Sequence, residues 1–591
     1  MESFLEKYNE MLLDVQKPSR YTGGEYNTPD MTKPHTLDFC LCFPDVYEVG
    51  MSNIGCSILY NMLNQEDNIV CERCFAPWID LGEKLKGNLP LVSIETKKPL
   101  KEFDIVGFSL GFELSYTNVL YMLDLAEIPF YSKDRGEEYP IVVAGGSCSI
   151  NPAPFEDFVD AVLIGDGEIT LKEFASLVDE GKKANLSKKE ILEKAKNIQG
   201  VYVPSLYVKG EVVKKGVVPD MNTSYYPEKP LVPNIEIVHD RVALELYRGC
   251  ASGCRFCQAC FIYRPIREKV KEVALKEALD LLNNTGFNEL SLSSLSTGDY
   301  TYLLELLPEL SEYCKKKHIT LSLPSLRLNS YDNVVSEACR RSSLTFAPEA
   351  GTQRLRDVIN KNITEDDIRN SIGSAFEQGY DSVKLYFMIG LPTETDEDLD
   401  GIIKICEELK ELYYSIKKNR KLRITLSTAV FIPKPYTPFE FTAQISMEEM
   451  RRRQEYLYQG LSKIKGVQYH YHESKSSLVE AVLARGDKKL SRAIELAYLK
   501  GCKYDSWSDH FNFDNWMDAF SEAGINIEDY TRAFSTTEEL PWDFIDAGVK
   551  KEYLVKEYNK ALKGETTRNC RQGCNNCGVA SLGRCTILWL H

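Results

Sequence analysis

Short apolar runs alternate with amphipathic stretches along most of the chain. Leu37–Pro44 reads as a strand and Ile54–Asn64 as a helix. Ile105–Leu110 reads as a second strand, followed by a helix over Tyr116–Leu125, and Ile141–Gly146 and Ala161–Gly165 as two more strands. Strands of this kind alternating with helices predict a parallel, doubly wound sheet. Such a sheet binds ligands at the carboxyl ends of its strands. The loops Asp45–Gly50, Gly145-Gly146 and Gly165-Asp-Gly-Glu168 fall there. Residues 172–198 predict one or two charged helices, and Tyr202–Val218 a hairpin turning at Lys209-Gly210. Alternation resumes with strands at 242–246, 289–295, 320–323, 344–347, 382–388 and 423–431. These make about six β/α units, a complete or partial β/α barrel whose chemistry belongs at the C-terminal strand ends.

The expected division is a leader over 1–38, a Rossmann-like domain over 39–185, a linker and hairpin over 186–238, and a barrel over 239–445. A charged, Tyr- and Trp-rich helical region over 446–569 and a Cys-rich tail over 570–591 complete it. The chain has 591 residues, room for several domains of about 150 residues. Apolar residues at 43% and charged residues at 27% exclude a disordered, collagen-like or membrane-embedded chain. The net charge of −16 excludes nucleic-acid binding by bulk charge. Met1–Arg20 does not read as a signal peptide, and no apolar run reaches the roughly 20 residues that cross a bilayer. The 18 cysteines therefore read as reduced, cytoplasmic metal ligands or packing residues.

Directly after the first barrel strand comes Tyr247-Arg-Gly-Cys250-Ala-Ser-Gly-Cys254-Arg-Phe-Cys257, a Cys-x3-Cys-x2-Cys loop. Three soft thiolates on one loop suit three irons of a [4Fe-4S] cluster and leave the fourth open. A closed zinc site would want a fourth ligand. Cys260 reads as a packing thiol, because a fourth ligand would close the open iron. Further segments lie at or just past strand ends: Ser322–Arg327, Thr345–Gly351, Lys384–Glu394 and Phe431–Pro438.

Together these motifs resemble the radical SAM superfamily. The resemblance implies a [4Fe-4S] cluster on Cys250, Cys254 and Cys257, with S-adenosylmethionine (SAM) bound at the open iron. Reductive cleavage of SAM would yield a 5′-deoxyadenosyl radical. It further implies Phe256, Ser293, Glu349, Met388 and Gly390 near SAM, and an electron donor such as flavodoxin or ferredoxin. Asp45-Val-Tyr47-Glu-Val-Gly50 resembles the signature of cobalamin-binding domains, with Tyr47 where a histidine would ligate cobalt. Asp45, Tyr47, Gly50, Ser109, Gly145 and Gly146 are thereby implied as corrinoid contacts.

Cys570-x3-Cys574-x2-Cys577, with Cys585 beyond, repeats the spacing with a fourth cysteine in reach. It fits an auxiliary [4Fe-4S] cluster or a zinc site. Cys40 and Cys42 share a strand face and read as packing, as do Cys71 and Cys74. His470 and His472 read as exposed or packed. The expected architecture is α/β: a Rossmann-like cobalamin-type domain, a radical SAM β/α (partial TIM) barrel and a helical C-terminal extension. Its expected activity is radical SAM chemistry. That leaves open a cobalamin-dependent methyltransferase, a radical oxidoreductase or rearrangement enzyme, and a methylthio-transfer enzyme. A non-catalytic iron–sulfur protein is the remaining alternative.

Overall fold

The structure, a computed structural model, describes residues 2–323, 344–417, 421–583 and 585. Strands β1 (Leu37–Phe43), β2 (Ile69–Phe75), β3 (Ile105–Ser109), β4 (Ile141–Gly145), β5 (Ala161–Leu163) and β6 (Val201–Tyr202) form one sheet. Its order is β2-β1-β3-β4-β5-β6. The first five are parallel and β6 runs antiparallel to β5. Both sheet faces are buried, which is why these strands read as unbroken apolar runs. Phe39, Leu41, Val143 and Leu163 face helices Ile54–Gln65 and Gly167–Lys183. Cys40, Cys42, Val106 and Val142 face helix Tyr116–Leu125. The strand order reverses between β1 and β3, the kind of place where open α/β sheets bind ligands.

Two local expectations are corrected. Tyr202–Val218 is not a hairpin: β6 pairs with β5, while β7 (Val213–Lys214) pairs with the distant β17 (Ile545–Asp546). The Lys209-Gly210 turn is exposed, and the strand beyond it finds its hydrogen bonds on the C-terminal extension instead. β2 had no counterpart in the sequence reading. Its Glu72 and Arg73 look like surface residues but are buried and paired, Glu72 with Thr96 and Arg73 with Glu25 and Glu95.

The second unit contains β8 (Val242–Glu245), β9 (Tyr247–Arg248), β10 (Arg267–Glu268), β11 (Glu289–Ser293), β12 (Thr320–Ser322), β13 (Leu344–Glu349), β14 (Ser382–Ile389), β15 (Arg423–Val430) and β16 (Val467–Tyr471). Two parallel sheets, β12-β11-β8 and β13-β14-β15-β16, form the β/α barrel. Strand β16 carries the sheet past residue 445. Its face is half solvated, so it lacks a clean apolar run, and His470 and His472 are exposed.

The C-terminal extension contributes helices Ser474–Ala484, Leu490–Leu499, Phe513–Glu522 and Lys551–Leu562. It packs into the same core as one face of the N-terminal sheet, with Trp516 and Trp542 buried there. Among the described residues, no helix is long and apolar enough to cross a membrane.

Candidate functional site

Strands β8 and β9 deliver the chain into the three-cysteine loop. Gly249 and Gly253 take φ of 91° and 75°, left-handed conformations that turn the loop tightly. A Cβ on Gly249 would stand 3.0 Å from the Tyr263 carbonyl oxygen, so this turn needs glycine. Cys250 and Cys254 are buried, and Cys257 precedes the short helix Gln258–Ile262. Burial pushes the Cys257 thiol up to about 12, with Cys254 and Cys250 adding to the shift. Three neighbouring thiols, two of them buried and one half-buried, need a cationic centre to become thiolates together. This donor set fits a [4Fe-4S] cluster. Each thiolate of such a cluster binds a different iron, so its ligands stand farther apart than those of a single ion.

Cys260 sits behind the loop. It accepts the Gly253 N–H at 3.1 Å, and its thiol lies 3.8 Å from the Cys250 carbonyl oxygen. Its interaction with the Cys250 thiol, and then burial, keep it protonated.

The loop is braced from the far end of the chain. Arg255 is fully buried, donates to the Asp357 and Val358 carbonyls, and pairs with Glu557 at 3.0 Å. Asn360 donates to the Gly253 carbonyl at 3.1 Å and accepts from Thr567 N–H at 2.8 Å.

Four of the residues implied near SAM gather on β13 and β14 and beside the loop. Phe256 and Met388 pack into one apolar cluster with Ala350, Leu391 and Phe431. Glu349 ends β13 with φ of 69°, a strained backbone of the kind found at ligand sites, and pairs with Lys361 at 3.1 Å. Lys361 in turn acts on Cys257. Gly390 follows β14 with φ of 82°, and its N–H donates to Glu394 at 2.6 Å. Ser293 stands apart from these, at the end of β11. Residues 324–327 of the Ser322–Arg327 segment lie outside the described residues.

Between the N-terminal sheet and the three-cysteine loop lies a cavity of about 590 Å³. Ser109, Gly145 and Gly146 line it, with Gly107, Gly165, Gly167 and, from the barrel, Arg248 and Ser293. Glycine or serine at 107, 109 and 145 leaves this sheet face hollow between Phe39 and Leu163. Asp45, Tyr47 and Gly50 do not line it. Tyr47 is buried edge-on against Phe75 at 5.3 Å, and its hydroxyl donates to Glu25. Asp45 accepts from the Trp507 indole N–H at 3.0 Å. Gly50 is small because a Cβ there would strike the Phe75 ring at 2.3 Å. The Asp45–Gly50 segment therefore serves packing, and the implied contacts divide into three that meet the cavity and three that do not.

The rim carries an ion network that sequence reasoning missed. Arg248 reaches Glu168 at 2.7 Å, Glu245 at 2.9 Å and Asp166 at 3.1 Å, and Asp166 also pairs with Arg267. It ties the Gly165–Glu168 loop to the strand that enters the cluster loop. Burial would raise the Asp166 carboxyl, but Arg248 and Arg267 hold it well below the usual range. Lys215, also lining the cavity, donates to the Ile262 and Arg264 carbonyls, and burial lowers it to about 8. The network's signals in the sequence were the Gly165-Asp-Gly-Glu168 loop at a strand end and the arginines at 248 and 267 on either side of the cysteine loop.

The tail lies against the same loop. Cys570 N–H donates to the Ala251 carbonyl at 3.0 Å, and Arg571 pairs with Glu268.

A parallel barrel with a three-cysteine loop at its first strand end, facing a glycine-lined sheet cavity, defines a class of iron–sulfur α/β enzymes. The family model described as the radical SAM superfamily matches residues 244–406, and that of the N-terminal region of radical SAM proteins matches 55–204. The chain belongs to the radical SAM superfamily. An uncharacterized protein of Methanocaldococcus jannaschii is 27% identical over 82% of this chain and 97% of its own length. An uncharacterized methyltransferase of Pyrococcus horikoshii is 23% identical over 53% of this chain and 66% of its own. A tRNA-2-methylthio-N(6)-dimethylallyladenosine synthase of Ehrlichia ruminantium is 23% identical over 42% and 57%. Among solved structures, the radical S-adenosylmethionine methyltransferase TsrM from Kitasatospora setae, with cobalamin and a [4Fe-4S] cluster bound, aligns with a TM-score of 0.47. That alignment has 14% identity and covers 69% of this chain and 77% of TsrM.

Proposed function

We propose that this radical SAM enzyme is a cytoplasmic methyltransferase whose N-terminal cavity holds the nucleotide tail of a corrinoid. The cavity carries the reading. Its volume of about 590 Å³ falls in the range of about 300–1,000 Å³ typical of small-molecule sites. It opens between the hollow sheet face and Tyr247, Arg248 and Gly249, which lead into the loop of Cys250, Cys254 and Cys257. When bound, the corrinoid would supply methyl transfer to an unactivated carbon, and the cluster with SAM would supply the 5′-deoxyadenosyl radical. The protein's own residues hold and orient. Gly107 and Gly145 leave room on the sheet face, and the Ser109 hydroxyl offers a hydrogen bond. Arg248 fixes the Gly165–Glu168 loop over the opening. Phe256 and Met388 form an apolar wall for the adenosyl group, and Glu349 accepts from a ribose or amino donor. Tyr47, packed on Phe75 away from the cavity, would not hold the corrinoid. A flavodoxin- or ferredoxin-like carrier supplies the electron.

Purification from corrinoid-supplied cells tests this. Wild-type protein should carry about one corrinoid per chain by its absorption spectrum. Gly111 lines the cavity, and a Cβ there meets nothing within 4 Å. Gly111→Phe should therefore fold, lose the corrinoid and keep its iron. Wild type with no corrinoid spectrum would contradict the proposal. It would then favour methylthio transfer, the chemistry in the name of the Ehrlichia relative, for which the tail beside the cluster loop is the supporting observation.

A further inference from the structure

We propose that Cys570, Cys574, Cys577 and Cys585 hold a second iron–sulfur cluster, and that the buried Arg264 guanidinium is the positioning cation between it and the SAM-cluster loop. This inference is independent of what occupies the sheet cavity.

The tail is tightly turned, with Cys577 buried and Cys570 and Cys585 half-buried. Gly573, Asn576 and Gly578 take φ of 138°, 55° and 104°, placing three left-handed turns within six residues. A capping box from Asn569 to Gln572 fixes the entry. Lys550 N–H donates to the Cys577 carbonyl at 2.9 Å, and the Arg571–Glu268 pair holds the other side. Donors point at sulfur: Asn576 N–H lies 3.4 Å from Cys574 Sγ, and Asn575 Nδ2 lies 3.8 Å from Cys570 Sγ. Cys585, arriving last, takes a hydrogen bond from the backbone of Ile266, on the segment that follows the SAM-cluster loop. It packs against the core that holds Cys577 and, with Cys570, against the neighbouring barrel core.

Arg264 is the independent observation. It is only 1% exposed, and its Nε and Nη1 have no hydrogen-bond partner among the described residues. Nη2 stands 4.0 Å from Cys260 Sγ. The tail reaches the residue beside it: a Cβ on Gly583 would stand 3.6 Å from Pro265 Cγ, and Cys577 packs into the same core as Cys260. A buried guanidinium with idle donors is costly unless an anion meets it. Thiolates carrying a cluster supply that anion on the tail side. Cys260, a hydrogen-bonded thiol behind the loop, marks the other side. Zinc would take the same four thiolates without iron or sulfide, so the metal content distinguishes the two. The tail repeats the spacing of the SAM-cluster cysteines.

The test uses the full chain, reconstituted anaerobically with iron and sulfide, and reads iron, sulfide and zinc content with EPR of the reduced protein. Wild type should hold about eight irons per chain. Cys574 is exposed, so Cys574→Ala should fold and fall to about four irons while keeping the EPR signal of the SAM cluster. Cys254→Ala should likewise keep about four, those of the tail. Arg264→Met should lose tail iron or shift the midpoint potential of the tail signal, and Arg264→Lys should restore most of either. Wild type with about four irons, with or without one zinc, would overturn the second cluster. Full iron and an unchanged potential in Arg264→Met would overturn the role of Arg264.

Discussion

At the scale of single residues, buried charge decides the local design. Asp166 serves two arginines; Asp166→Asn would leave Arg267 without its carboxylate, while Arg248 keeps Glu168 and Glu245, and should cost about 3 kcal/mol in chemical denaturation at pH 7. The pH dependence has a fixed sign. A carboxyl lowered by folding stabilises in full above its unfolded value of 3.8 and loses that contribution as pH falls toward the folded value. The gap between wild type and Asp166→Asn should thus stay constant from pH 8 to 5 and close below about pH 4. A gap that stays open in acid would remove Asp166 from the network. Tyr47 offers a second contrast. Tyr47→Phe removes one hydroxyl donor to Glu25 and should cost about 1 kcal/mol, with corrinoid content unchanged. Loss of corrinoid in that variant would return Tyr47 to the cavity. The role of Cys260 is read the same way: Cys260→Ala should keep SAM cleavage, and Cys250→Ala should lose it.

At the scale of elements, legibility followed how plainly each segment displayed its burial. β1, β3 and β4 are apolar on both faces and stood out. β2 did not, because Glu72 and Arg73 interrupt it, and their partners Thr96, Glu25 and Glu95 are distant in sequence or unmarked. Cys71 and Cys74 fall on opposite faces of that strand, one in each of the two cores flanking the sheet, and so form no site. The three-cysteine loop was legible because its ligands are adjacent. The brace that Arg255, Asn360 and Glu557 give it was not, because it joins residues hundreds of positions apart. Glu557→Ala leaves Arg255 buried without its carboxylate and should destabilise by about 3–5 kcal/mol. It should also lower iron retention in gel filtration relative to wild type, and an unchanged iron content would show that helix Lys551–Leu562 does not support the loop.

At the scale of the whole molecule, the C-terminal extension closes the structure on itself. Tyr504 donates to the Ala76 and Pro77 carbonyls, Thr117 to Asp505, and Asn151 to Ala484 and Gly486. The same extension supplies Glu557 and the cysteine tail to the barrel, so sheet, barrel and extension meet around one loop. The most direct measurement is SAM turnover by anaerobically reconstituted, chemically reduced protein. Wild type should form 5′-deoxyadenosine and methionine in equal amounts, and Cys254→Ala should form neither. Wild type holding at least about four irons per chain yet forming no 5′-deoxyadenosine, or equal turnover by Cys254→Ala, would contradict the assignment of this loop to radical SAM chemistry.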